Sequence, residues 1–403
     1  MKKEFISLLQ KFVSFRSVST DPSYKSEVFK TVQWLSSYLS GFGLKLRIIK
    51  GYENPVIIAK TPQDRTRKTI LIYGHYDVQP ADKADGWKSD PFTLTQNKGK
   101  FYARGVADNK AQILAHVYAV SQLLEKGSLG FNVIFLIEGN EETGSAQLGR
   151  LVKENKKMLM CDCIVVSDSE LATGNTPALD VSFRGSGNFA VTLETGTEDA
   201  HSGLFGGVTP NAAEELSKIL GNIETFVGSK SGLRAQSKKY ETRRSLDKTV
   251  EVTGLSAGYI GDGFRNSIPC RAHAKINVRS SPTGDIKLLM DKVQRCMRKH
   301  VPSYARIKFV NDRYCSGIKF DVENIFARRA RKSLREIYGY TPRLKHGGGT
   351  LPIASTFAQV LRVPQVMVPL ADENCGAHSA SEHMSVDVIE KGIAFSLRFF
   401  SKD

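Results

Sequence analysis

Strong short apolar runs, rich in Ile and Val, stand at residues 56–59, 69–73, 132–137, 163–166 and 365–370. Most lack the apolar–polar alternation of a strand with one wet face. They predict strands buried on both sides of a largely parallel sheet. Between them, residues 27–39, 110–124, 146–155, 325–338 and 386–399 read as helices. Strands alternating with helices predict an α/β fold. At the start, Phe5, Leu8, Leu9, Phe12 and Val13 share a helical face, while Lys2, Lys3, Glu4 and Lys11 interrupt the run. That is an amphipathic helix and not the apolar centre of a secretion signal, which argues for a cytoplasmic protein.

From about 182 to 312 the pattern changes. Runs at 188–195 and 271–278 alternate as half-exposed strands do, helices are expected at 211–223 and 285–299, and the loops are rich in Gly and Lys. The chain therefore reads as a discontinuous catalytic domain, 1–181 and 313–403, interrupted by a smaller α+β domain, 182–312. A length of 403 residues also favours two cores over one. No apolar run reaches the roughly 20 residues that span a bilayer, so no membrane association is expected.

Charge changes this picture little. The formal net charge is +16, but the basic residues are spread along the chain. The densest runs are Lys238, Lys239, Arg243 and Arg244, and Arg328, Arg329, Arg331, Lys332 and Arg335. The second run has helical spacing opposite Phe326, Ala330 and Leu334, so it reads as a solvated helix face. Without a nucleic-acid-binding motif, no nucleic-acid partner is expected. The six cysteines, at 161, 163, 270, 296, 315 and 375, form no C-x-x-C pair and need no disulfides. Cys375, three residues before His378, could reach a site there.

Five polar phrases carry the candidate chemistry. They are Gly74-His75-Tyr76-Asp77, Ala107-Asp108-Asn109-Lys110, the run from Glu138 through Glu141 and Glu142 to Ser145, Ser167-Asp168-Ser169, and Gly376-Ala377-His378-Ser379. Three of these phrases begin within a few residues of a predicted strand end, where active sites of open α/β sheets gather. His75, Asp108, Glu142, Asp168 and His378 make a ligand set suited to zinc, or to manganese or cobalt. Five ligands exceed the needs of one catalytic zinc and suit two ions sharing a carboxylate, an arrangement for hydrolysis.

Each residue also has a plainer reading. Asp108, standing just before a helix, reads alone as an N-cap. His75 could be a structural strand-end histidine, though Asp77 beside it suits the carboxylate that fixes a metal ligand's tautomer. Glu141 and Glu142 could be a solvated pair, or one could bind metal while the other acts as general base on the water. His201 is a loop histidine or an oxyanion donor. His116, His273 and His300 read as structural or exposed.

In this order the phrases resemble the dinuclear zinc metallopeptidase family of carnosinase, cytosolic dipeptidases, acetylornithine deacetylase and succinyl-diaminopimelate desuccinylase. The resemblance spans essentially the whole chain. It is carried by the run from Gly74 to Pro80, Trp87, Asp90-Pro91-Phe92, Arg104-Gly105, Asp108-Asn109-Lys110 and the run from Glu138 to Ser145. The phrase Tyr76-Asp77-Val78-Gln79-Pro80 looks more like the dipeptidase branch than the deacylase branch.

The resemblance implies two divalent metal ions, Zn2+ first and Mn2+ or Co2+ as alternatives. Asp108 would bridge them, His75 and Asp168 would complete one site, and Glu142 and His378 would complete the other. Asp77 would orient His75, and Glu141 would be the general base on a bridging water. The inserted domain would be a lid and dimerisation element of a homodimer, with His201 reaching the partner's site. Asn266, Arg279, Gly348, Gly349 and Thr350 would contact substrate, and the Asp108–Asn109 bond would be cis. Asn266 departs from the threonine common in carnosinase-like members. The expected activity is hydrolysis of dipeptides or short peptides with a free C-terminal carboxylate. An N-acyl-amino-acid deacylase is the alternative, separable with acetylornithine and succinyl-diaminopimelate as substrates. An inactive metal-dependent binding protein is the remote reading, which any metal-dependent turnover would exclude.

Overall fold

The structure, a computed structural model, describes residues 3–223 and 238–402, the first four of the second stretch by backbone alone. The side chains of Lys238 and Lys239 therefore lie outside the described residues. The chain separates into two compact units. One comprises Met1–Val181, Phe320–Lys345 and Pro352–Asp403, and the other Ser182–Lys319 and His346–Leu351.

The first unit is built on a sheet whose centre is parallel. Strands Asn132–Glu138, Thr69–His75, Cys163–Val166 and Gln365–Met367 lie side by side in that order, each parallel to the next. Their apolar runs are continuous because both faces are covered. Ile70, Leu71, Ile72 and Tyr73 are all fully buried, each contributing about 1.5–3 kcal/mol. Ile70 and Ile72 join a core with the helices Lys3–Ser14, Ala111–Glu125 and Val386–Phe400. Tyr73, pointing to the opposite face, meets Phe357 of helix Pro352–Val360 edge-on.

The margins of this sheet are antiparallel, so the sheet is mixed. Strand Val56–Lys60 pairs antiparallel with Asn132–Glu138, and Lys45–Ile49 pairs antiparallel with Val56–Lys60. The link between the latter two is too short for the crossover that parallel pairing needs. Ala178–Phe183 pairs antiparallel with Gln365–Met367 on the other side.

The second unit is a four-stranded antiparallel sheet in the order Thr249–Ala257, Arg271–Ser280, Gly185–Glu194, Arg306–Cys315. Burial alternates residue by residue along Gly185–Glu194 and Arg271–Ser280. Their inward side chains, Phe189, Val191, Leu193, Ala272, Ala274, Ile276 and Val278, pack with Leu216 and Ile219 of helix Ala212–Gly221 and with Met290, Val293 and Met297 of helix Ile286–Lys299. The strand Arg306–Cys315 runs through residue 312 without a break. Among the described residues, no helix is long and apolar enough to cross a membrane.

Candidate metal centre

Local chain geometry at the strand ends brings the first unit's candidate residues together. His75 is the last residue of its strand, and Asp168 follows Cys163–Val166 by two positions. Glu141 and Glu142 open a single 3-10 turn after Asn132–Glu138. Asp108 lies in the turn Val106–Lys110 that feeds helix Ala111–Glu125, and the Asp108–Asn109 bond is cis. His378 adopts a positive φ of 64°, a conformation that is uncommon outside glycine and tends to collect at functional sites. Gly74 leaves room for this convergence. A Cβ there would come within 2.8 Å of Ile113 and 2.9 Å of Asn109 Oδ1.

Two groups of three donors result, His75 with Asp108 and Asp168, and Asp108 with Glu142 and His378. His75 Nε2 lies 3.0 Å from Asp108 Oδ1 and 3.5 Å from Asp168 Oδ1. His378 Nε2 lies 3.1 Å from Asp108 Oδ2 and 3.2 Å from Glu142 Oε2. Ligands about 2.0–2.1 Å from a tetrahedral ion stand about 3.3 Å apart. The donor sets therefore fit divalent ions in chemistry and in spacing, and each Asp108 oxygen serves one group. Cys375 belongs to neither, since its thiol donates to Glu170 Oε1.

Side chains behind the donors hold them in place. Asp77 Oδ1 stands 3.3 Å from His75 Nδ1, and the backbone carbonyl of Asp77 is nearer, at 3.0 Å. The Asp77 carboxylate also accepts the N–H groups of Glu141 (3.3 Å) and Glu142 (3.1 Å). It thus anchors the acid pair as well as the histidine, a double duty that the sequence did not suggest. Asn109 Nδ2 donates to Asp168 Oδ1 (2.9 Å) and to the Ser167 carbonyl (2.6 Å). Gln79 Nε2 donates to Glu142 Oε2 (2.8 Å). Both residues stand in quoted motifs, but their partners are too distant in sequence to be inferred from spacing. Buried His116 accepts or donates to Ser167 Oγ and Ser396 Oγ, and burial lowers its pKa to about 3, so it stays neutral.

The electrostatics are those of carboxylates and imidazoles packed closely together. Burial lowers the His75 pKa, but Asp168, Asp108 and Asp77 overcome this and hold it well above the usual value. Hydrogen bonds to Asp108 and Glu142 raise His378 to about 10. Burial pushes Asp108 up, but the bonds from His378 and His75 outweigh it and bring its carboxyl below the usual range. Burial raises Glu141 well above the carboxylate range, with Asp168, Asp108 and Glu142 adding to the effect and His75 opposing it. Without metal, these shifts favour protonated imidazoles beside the carboxylates. Metal binding would replace those protons, so affinity would rise with pH.

The remaining candidates belong to the second unit. His201 pairs with Ser267 across a short antiparallel ladder, and the Ser202 N–H donates to the Asn266 carbonyl at 3.1 Å. Arg279 Nη1 donates to Thr350 Oγ1 (2.9 Å), and that hydroxyl donates to the Arg184 carbonyl (2.6 Å). Arg184, which the sequence reading did not single out, lies between strands Ala178–Phe183 and Gly185–Glu194 and grips this loop. Its N–H donates to the Gly349 carbonyl (3.1 Å) and its Nε to the Gly348 carbonyl (2.9 Å). These bonds draw residues 346–351 into the second unit. Burial, then the charges of Arg279 and Arg244, lower the Arg184 pKa to about 10.

The chain matches Peptidase family M20/M25/M40 over residues 71–402. It is 27% identical to the Cys-Gly metallodipeptidase of Schizosaccharomyces pombe, over 97% of this chain and 94% of the relative. It is also 27% identical to the human Beta-Ala-His dipeptidase, over 95% of this chain and 86% of the relative. The solved structure of the di-peptidase Dug1p from Saccharomyces cerevisiae superposes with a TM-score of 0.81 at 25% identity, covering 99% of this chain and 96% of that one. With that match and a site able to hold metal, this chain is a metallopeptidase hydrolase belonging to Peptidase family M20/M25/M40.

Proposed function

We infer that this protein hydrolyses the amide bond of dipeptides bearing a free C-terminal carboxylate, with two divalent metal ions bound, zinc first among the candidates. The observation that carries this reading is the pair of three-donor groups sharing Asp108, with Glu141 beside them. His75, Asp108 and Asp168 would hold one ion, and Asp108, Glu142 and His378 the other. Bound there, the two cations would supply the charge that polarises a carbonyl and acidifies a water. The same positive charge would return Glu141, raised by burial and the neighbouring carboxylates, to its ionised form, in which it takes the proton of the attacking water and passes it to the leaving amine. Asp77 keeps His75 in its ligating tautomer. The relatives act on Cys-Gly and on beta-Ala-His, as their names state, and both are dipeptides.

Arg279 and the Gly348-Gly349-Thr350 loop are assigned to the substrate carboxylate. The positive charges of Arg279 and Arg244 acting on Arg184 support this assignment, because an anion would offset them. A guanidinium also matches a carboxylate bidentately. Amidated dipeptides should be cleaved more slowly than free ones by about 2–4 kcal/mol of transition-state stabilisation. Arg279→Ala should lose most of that discrimination and keep both metals. Equal kcat/KM for free and amidated dipeptides in the wild type would remove the carboxylate grip and the dipeptidase reading with it.

His201 is assigned to the active site of a partner subunit, as an oxyanion donor, which makes the protein a homodimer through its second unit. Mixing inactive His201→Ala and Glu141→Gln chains should restore activity, since a mixed dimer holds one intact site. A monomer by sedimentation, or no recovery after proven subunit exchange, would defeat this assignment.

A further inference from the structure

We propose that Glu382 is a positioning residue for Asp108, the carboxylate shared by both donor groups. The proposal rests on the two-metal reading above. Glu382 is fully buried, and its carboxylate takes four donors. Oε2 accepts from Arg104 Nη1 (2.6 Å) and the Gly105 N–H (3.0 Å). Oε1 accepts from the Ala107 N–H (2.9 Å) and the Asp108 N–H (3.1 Å). A buried carboxylate is tolerated only when its lone pairs are met, and here backbone from 105 to 108 wraps around it. Gly105, at φ 80°, makes the wrap possible, since a Cβ there would stand 2.5 Å from Val78. Arg104 is itself buried and lies 5.3 Å over the Trp87 ring.

Other residues close the cradle. Gln112 Nε2 donates to the Ala107 carbonyl (2.8 Å). Lys110 Nζ ties the far end of the turn to the carbonyls of Phe12 (3.1 Å) and Phe15 (2.8 Å). Glu382 differs from these in where it comes from. It lies four residues beyond His378, in the same loop, and His378 Nε2 stands 3.1 Å from Asp108 Oδ2. One loop therefore grips Asp108 twice, at the backbone N–H through Glu382 and at the carboxylate through His378. Removing the first grip frees the backbone that aims both oxygens, so both donor groups lose geometry together. A defect in an outer donor such as Glu142 disturbs one group only.

Glu382→Gln keeps the size of the side chain but turns one acceptor into an NH2 that faces N–H donors. The test titrates metal-stripped full-length chain with Zn2+ by calorimetry and with Co2+ by its d–d absorption, for wild type, Glu142→Ala and Glu382→Gln. Wild type should take two ions, and Glu142→Ala should weaken one. Glu382→Gln should weaken both by about 10- to 100-fold, the usual effect of losing a partner behind a ligand, and should alter the cobalt bands. A wild type that takes fewer than two ions sinks the two-metal reading itself. Two ions in the wild type, with unchanged affinities and cobalt bands in Glu382→Gln, overturn only the positioning role. If Glu382→Gln does not fold, Glu382→Asp decides, because it keeps the charge one methylene further back. A smaller loss at both ions supports the proposal, and native affinity at both overturns it.

Discussion

Glu141→Gln is expected to lower kcat by about 10²- to 10⁴-fold, the range that a positioned acid–base group contributes, while the protein still holds two metal ions. The amide matches the carboxylate in shape, so the turn that Asp77 anchors through the Glu141 and Glu142 N–H groups stays in place. What disappears is a group that can accept and return a proton. Glu142→Ala, one residue away, should behave differently. Its Oε2 is a donor in the group with His378 and the acceptor for Gln79, so its loss should empty or weaken one ion. Metal content of the two purified variants, read beside their kcat, separates the roles. Equal metal loss in both would show that the division of labour between the adjacent acids is wrong.

Asp108→Ala should be the most damaging single change to metal binding. Asp108 is the only residue common to both donor groups among the described residues, with Oδ1 facing His75 and Oδ2 facing His378. Its removal leaves each group with two donors and takes from each imidazole one of the anions that raise its pKa. Affinity at both ions should fall by more than the 10- to 100-fold typical of a lost outer partner. His75→Ala should empty one ion and spare the other. Metal analysis after gel filtration, with proton NMR of His378 in the metal-free variant, reads both effects. One ion retained at native affinity in Asp108→Ala would mean that the carboxylate is not shared.

The parts of the fold legible in the sequence were those whose burial is uniform. Residues 70–73 and 133–137 carry no charged or amide side chain because helices cover both faces of the strands they belong to. Strand Lys45–Ile49 escaped notice because it is a margin strand with Lys45 and Arg47 turned outward. Ala178–Phe183 was hidden by Asp180 and Ser182, which are buried polar residues. Asp180 is tolerated there because Ser169 and Lys345 reach it, and no local pattern announces partners so far away. Thr249–Ala257 carries Gly254 at a register shift, which reads as a break. The donor residues were legible because each stands alone in a polar phrase at a strand end. Asn109, Gln79, Arg184 and Glu382 were not, because what they hold is set by contacts that only the folded chain makes.

The order of strands in the central sheet also bears on how the protein is made. Gln365–Met367 sits between Cys163–Val166 and Ala178–Phe183, about 200 residues downstream of the strand it pairs with in parallel. Until the ribosome has released that segment, the Val-rich edge of Cys163–Val166 has no mate on that side. Nearly all of the second unit is a continuous stretch that can close on itself meanwhile. Contacts of such long sequence separation form slowly, and an open apolar edge invites pairing with another nascent chain. His378 emerges after the missing strand, so the donor group it completes is the last part of the centre to be assembled.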